Sequence, residues 1–133
     1  MSTFGVLPIA GSGLSVDQTW LDTIGGNIAN ANDQSTPGKP VYQPEYIDAV
    51  PVPSTGPGTG VGIGAIALGS ATGVLEYDPA NPKANKAGYI AVPAVDMATE
   101  MVGLEAAQAN YQANAAVVRD AVNAYDAVLA IKA

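Results

Sequence analysis

A mainly α chain is predicted, its N- and C-terminal helices forming an antiparallel coiled-coil-like pair with a small irregular β insert between them. Three observations predict it. Apolar residues recur at three- and four-residue spacing near both ends, six of the ten prolines fall within residues 33–60, and β-branched residues alternate with glycine over residues 60–78. The implied organisation is an N-terminal helical core segment (1–32), a Gly/Pro-rich β-hairpin insert (33–92) and a long C-terminal helix of the same core domain (93–133).

The first element follows Leu7, Ala10, Leu14, Asp17, Leu21, Ile24, Ile28 and Ala31, with only Asp17 off the apolar pattern. Such 3-4 spacing places one stripe along a helix. The helix runs into GGNIANAND (25–33), which holds Asn27, Asn30 and Asn32. Asparagine is a poor helix former because its amide competes for backbone hydrogen bonds. Asn32 fits a left-handed C-cap followed by a turn at Asp33. Asn27 and Asn30 lie three apart, beside the Ile24–Ile28 stripe, where polar groups can set register and partner choice.

No helix survives the prolines that follow, Pro37, Pro40, Pro44, Pro51, Pro53 and Pro57. PVYQPEYIDAVPV (40–52) reads as extended, edge-like chain, and STGPGTG (54–60) as a flexible loop. GVGIGAIALGSATGVLEYD (60–78) suggests a short hairpin with bendable strands, and DPANPKANKAGYIAVP (78–93) a turn-rich return.

The last element carries Met97, Met101, Leu104, Gln108, Tyr111, Ala115, Val118, Val122, Tyr125 and Leu129, interrupted only by Gln108. Pro93 ends the extended stretch, Asp96 can cap, and Glu100 stands in the first turn, where the helix dipole favours negative charge. One helix over 96–131 would be roughly 54 Å long, more than a chain of this size can cover on every side. A second face is nearly all alanine, including Ala106, Ala107, Ala113 and Ala121, and permits close approach of another helix.

Composition narrows function by exclusion. The chain has 133 residues, 48% of them hydrophobic but only 6% aromatic, and a net charge of −7. Its basic residues Lys39, Lys83, Lys86, Arg119 and Lys132 form no patch in the sequence, which argues against binding nucleic acid or anionic lipid. Cysteine and histidine are absent, so disulfides and thiolate or imidazole metal sites are excluded. The N-terminus lacks a basic region and a sustained apolar run, so no cleaved signal peptide is expected, and no transmembrane span is expected either.

Enzymatic chemistry finds no constellation. Gly62-Ile-Gly64-Ala-Ile-Ala67 matches a dinucleotide-binding spacing but has no following helix, since Gly69, Gly73 and Pro79 intervene. Asp96 and Glu100 read as a charge pair on a solvated helix end, and Arg119 and Asp120 as surface or inter-helix charges. No catalytic residue, cofactor, metal or small-molecule substrate is expected.

SGLSVDQTWLDTIGGNIANAND resembles the N-terminal signature of the bacterial flagellar axial family, the rod and hook proteins, in which a heptad helix runs into an N-[IL]-A-N-A motif. GYIAVPAVDMATEMVGLEAAQANYQANAAVVRDAV is similar to the family's C-terminal half, matching at Tyr89, Pro93, Val95, Asp96, Glu100, Met101, Val102, Tyr111, Ala113 and Asn114. The short length and the G-Y…P-x-V-D…E-M-V spacing are most similar to its proximal-rod members. Where the family carries a Tyr followed by basic residues, Tyr42 is followed here by Gln43, Pro44 and Glu45.

The resemblance implies a structural subunit, exported unfolded through the flagellar type III apparatus and assembled by its terminal helices into the torque-transmitting rod that crosses the periplasm. The implied partners are copies of the chain and other rod proteins. Seams and motifs together mark as packing residues Leu14, Leu21, Ile24, Asn27, Ile28, Asn30 and Asn32, with Met101, Leu104, Tyr111, Asn114, Val118, Val122, Tyr125 and Leu129. Another axial flagellar subunit, a secreted binding module or adhesin using residues 33–92, and an enzyme with an unrecognised carboxylate site are the alternatives. Open, repeated contacts of the kind two uncovered seams provide generate helical lattices. Helical ends without partners are expected to be disordered before assembly.

Overall fold

A computed structural model describes residues 3–53 and 59–131. Among these, two helices, α1 (Thr3–Asn30) and α2 (Met97–Ile131), enclose four strands: β1 (Glu45–Pro51), β2 (Val61–Leu68), β3 (Val74–Tyr77) and β4 (Tyr89–Val92). The loop expected at 54–60 lies outside the described residues over 54–58.

The helices run antiparallel along their contact. Asn27 meets Glu100, Gly103 lies under Ile24, and Gly13 under Asn114, so one helix ascends as the other descends. The face that α2 turns to α1 is Glu100, Ala107, Asn114 and Ala121, each seven residues from the last, with Leu104 and Val118 half-buried beside them. It differs from the expected stripe. Met101, Tyr111, Val122, Tyr125 and Leu129 all stand exposed, and of the expected series Leu104, Ala115 and Val118 are half-buried. The physical reason is close approach. Ala107 is wholly buried, and a Cβ added to Gly13 would stand 2.6 Å from the Asn114 amide nitrogen, so small residues let the backbones come together and large ones are displaced to the flanks. On α1, Ala10, Val16, Asp17 and Ile24 are buried, whereas Leu14, Leu21 and Ile28 are half-buried.

The insert is not one hairpin over 60–78. β1 pairs antiparallel with β2, and β3 with β4, in two separate two-stranded sheets. The glycine spacing within β2 reads locally as a turn-prone strand, but strand partners are chosen by what lies across the sheet. A bulge between Asp48 and Ala49 bends the first sheet, which lies along α1 and is tied to it by the Ser12 hydroxyl: Ser12 Oγ donates to the Ile9 carbonyl at 2.7 Å and accepts the Val61 N–H at 3.1 Å. The second sheet is bound to the chain leaving α1 by a two-bond bridge between Ser35 and Ala91. This buries Ile90 and Ala91, while all four residues of β3 remain exposed.

Gly73 makes the entry to β3 possible. Its φ is +60° and an added Cβ would collide with the Val92 carbonyl oxygen. Gly73→Ala should therefore destabilise the chain by more than about 1 kcal/mol. The measurement is chemical denaturation of the purified variant, and an unchanged midpoint would contradict this account.

Candidate functional site

The three asparagines of the 25–33 motif separate into different environments. Asn27 is only 1% exposed and makes four hydrogen bonds. Its Nδ2 donates to the Glu45 carbonyl at 2.9 Å and to Glu100 Oε1 at 3.0 Å. Its Oδ1 accepts the Tyr42 hydroxyl at 3.0 Å and the Glu45 N–H at 2.9 Å. One amide thus joins α1, the start of β1 and the first turn of α2. Asn30 is exposed and donates to the Gly26 carbonyl of its own helix at 2.8 Å. Asn32 is exposed and does not adopt the left-handed conformation expected of it, since no non-glycine residue among those described has positive φ. The turn is instead held by Asp33, whose carboxyl oxygens accept the Gln34 and Tyr42 N–H groups.

Glu100 also departs from expectation. Expected on a solvated helix end, it is 5% exposed and turned onto Asn27. Residue spacing alone places it in the first turn; only the position of α1 decides that this part of the turn is covered. Asp96 does cap α2. Its Oδ1 accepts the Ala98 and Thr99 N–H groups, and its Oδ2 the Thr99 hydroxyl at 2.9 Å. The Thr99 hydroxyl, with the Thr99 and Ala98 N–H groups, holds the Asp96 carboxyl below its ordinary value. Burial, reinforced by the nearby charges of Glu45 and Glu100, pushes the Tyr42 phenol up, so it remains a hydrogen-bond donor to Asn27.

A second polar crossing lies further along the pair. Asp17, the off-pattern residue of the first stripe, is buried and accepts the Asn114 amide at 2.8 Å. Sequence reasoning missed this pairing. Its only signal was a polar residue in an apolar stripe, with nothing to name the partner 97 positions away. Beside it is a cavity of about 450 Å³ between α1, the β1–β2 sheet and α2, walled by Val16, Trp20, Ile47 and Val61.

Beyond Ala121 nothing in the described chain buries α2. Val122, Tyr125, Val128, Leu129 and Ile131 are exposed, and Met101 and Val102 form a second exposed pair near the start of the helix. Arg119 and Asp120, 3.4 Å apart, are both 70% exposed and lie on the surface of one helix. Among the described residues no group of three or more acidic side chains is placed to hold a metal ion, and no helix is long and apolar enough to cross a membrane. Gly62 and Gly64 lie within β2, with no helix opening after them.

Comparison with known proteins adds the family context. The family profile described as "Flagellar basal body rod FlgEFG protein C-terminal" matches residues 86–131. The chain is 34% identical over 122 positions to flagellar basal-body rod protein FlgC of Salmonella typhimurium, with 89% of each chain covered. It is 30% identical over 155 aligned positions to the protein of the same name from Borreliella burgdorferi, covering 98% of each. It is 34% identical over 113 positions to that of Agrobacterium fabrum, covering 84% of this chain and 81% of the relative.

Two measurements test the polar geometry. Asn27→Ala removes four hydrogen bonds, one of them to the buried Glu100 carboxyl, at about 1–3 kcal/mol for each group left where water cannot reach it, and should lower stability by on the order of 3 kcal/mol, or roughly 10 °C in melting temperature. Asn30→Ala should stay within about 0.5 kcal/mol of the parent. Equal effects of the two would contradict the distinction. Because the folded Asp96 carboxyl sits below its unfolded value, its contribution is present above the ordinary carboxylate range, about pH 4, and is lost as pH falls through the lowered value. Amide exchange at Ala98 and Thr99 should accelerate across that acid window in the parent and show no such step in Asp96→Ala.

Proposed function

Because the chain belongs to the family of flagellar basal-body rod protein FlgC and is a structural subunit of the basal-body rod, we propose that its two terminal helices form a coiled-coil-like core unit that packs against copies of itself and other rod proteins. The observation that carries this reading is the exposed apolar ridge of α2 beyond Ala121, Val122 through Ile131. Fully burying a Val, Leu or Ile side chain contributes about 1.5–3 kcal/mol, so a ridge of this kind favours a neighbouring helix strongly while gaining nothing in an isolated chain.

In this reading the residues divide between two tasks. Ile24, Asn27, Leu104, Asn114 and Val118 hold the helices of one subunit together, and the half-buried Leu14, Leu21 and Ile28, with the exposed Met101, Tyr111, Val122, Tyr125 and Leu129, meet neighbours. Asn30 and Asn32 face outward at the end of α1. Residues 1–32 and 93–133 constitute the assembling core, and residues 33–92 the insert. Many shallow contacts repeated along a lattice carry torque without any one strong site, which suits a rod crossing the periplasm. Passage through the flagellar type III export apparatus, without a cleaved signal peptide, fits a helical overhang that gains its order on assembly. The family's proteins are structural, and no catalytic role is assigned.

The test uses a residue whose substitution leaves the isolated fold intact. Leu129 is 52% exposed, so Leu129→Asp should be exported normally and give the parent circular dichroism spectrum. In a lattice it places an unpaired charge at every copy, at a cost of several kcal/mol each. Cells carrying it should be non-motile, with the protein present outside the cell but missing from purified basal bodies. Normal rods containing Asp at position 129 would remove the support for this reading.

A further inference from the structure

The cavity between α1, the β1–β2 sheet and α2 has a polar floor that the helix pairing does not use up. Asp17, 6% exposed, lines it together with Asn114. Asp17 Oδ2 accepts the Asn114 amide, but among the described residues Oδ1 has no hydrogen-bond partner. That oxygen is reached by solvent on the side of the cavity, and a carboxylate facing such a space attracts a cationic donor. Apart from Asn110, the walls around it are apolar and include the Trp20 indole and Ile47. Apolar walls leading to an acid suit a side chain with an aliphatic stem and a cationic tip, and an indole adds attraction for the cation.

No basic residue lines the cavity. Of the described lysines, Lys39 lies on the segment following α1, and Lys83 and Lys86 on the loop joining β3 to β4. Lys83 Nζ donates to the Gln34 carbonyl, which places that loop at the C-terminal end of α1, roughly 20 Å along the helix from Asp17. Lys39 and Lys86 are exposed, and among the described residues neither ammonium has a hydrogen-bond or ion-pair partner. Cation and socket therefore sit apart on one chain.

We propose that this cavity is a socket for a lysine of a second copy of the chain, Lys39 or Lys86, whose ammonium bonds Asp17 while its stem lies along Trp20 and Ile47. The proposal rests on the rod reading and deepens it, since a contact between different surfaces of identical chains does not close on itself and extends as a row. Its charge complementarity selects a partner by sign.

A mixture of isotopically labelled and unlabelled full-length chain, treated with a zero-length carbodiimide coupler at high protein concentration, tests it. Peptide mapping should find Asp17 joined to Lys39 or Lys86 across mixed-label dimers. Asp17→Asn keeps the acceptor for Asn114 but removes the charge, and should lower the yield of covalent dimer at least roughly tenfold. Lys83→Gln should leave that yield unchanged, and raised salt should reduce it in the parent. Equal yields from parent and Asp17→Asn, links that avoid Asp17, or no dimer at all would overturn the proposal. The same mapping on purified basal bodies separates the two readings. Absence of the chain there removes the rod reading and this one with it, whereas a chain present there without an Asp17 link overturns the socket alone.

Discussion

The Asn27 side chain has two N–H donors and one carbonyl oxygen with two lone pairs, and all of that capacity is used by three residues from two segments, Tyr42 and Glu45 at the entry to β1 and Glu100 in the first turn of α2. The rest of the architecture depends on this junction because it is where the chain's two ends and its insert meet. A carboxyl group as buried as Glu100 is costly without a donor, and the donor exists only if α1 and α2 are set at one register. The same amide holds the Glu45 backbone, so the first sheet is aligned to the helices by the bonds that align the helices to each other.

The second crossing, Asp17 to Asn114, extends the constraint. On α2, the partners Glu100 and Asn114 alternate with Ala107 and Ala121 at seven-residue intervals. Sliding one helix by a heptad would bring Asn27 to alanine and leave acids and amides facing apolar neighbours, each stranded group costing about 1–3 kcal/mol. Polar crossings set among small residues therefore specify register more than they add stability, as buried polar positions do in other helix pairs. Glycine and alanine at the contact complete the arrangement, since the Gly13–Asn114 and Gly103–Ile24 approaches leave no space for larger side chains.

Close approach has a consequence on the outside. With small residues on the inner face, the large apolar side chains of α2 are turned outward, and the helix continues past Ala121, the last buried position among the described residues. An isolated globular domain would bury such residues. In the assembly proposed for this chain, neighbouring rod subunits cover them. The inner face holds one chain in shape, and the outer face is available to its neighbours.

Local chemistry was enough for much of this. Three- and four-residue periodicity determined two terminal helices, proline density determined a non-helical centre, Asp96 was legible as a cap, and the two terminal motifs identified the family. These are short-range properties, readable because helix geometry and proline sterics act within a few residues. What the tertiary structure alone decided is which of several candidate faces each element buries. When alanine covers one side of α2 and large apolar residues another, periodicity marks both as packing surfaces, and only the distance between the backbones chooses the alanine side. Asn27 and Asn30 look equivalent in sequence and differ because one points at α2 and the other at its own helix. Strand pairing and the Asp17–Asn114 and Asn27–Glu100 bonds join residues far apart in the chain, so no neighbouring residue records them; they exist because the packed helices and sheets exclude water from those groups and bring the one available partner within reach.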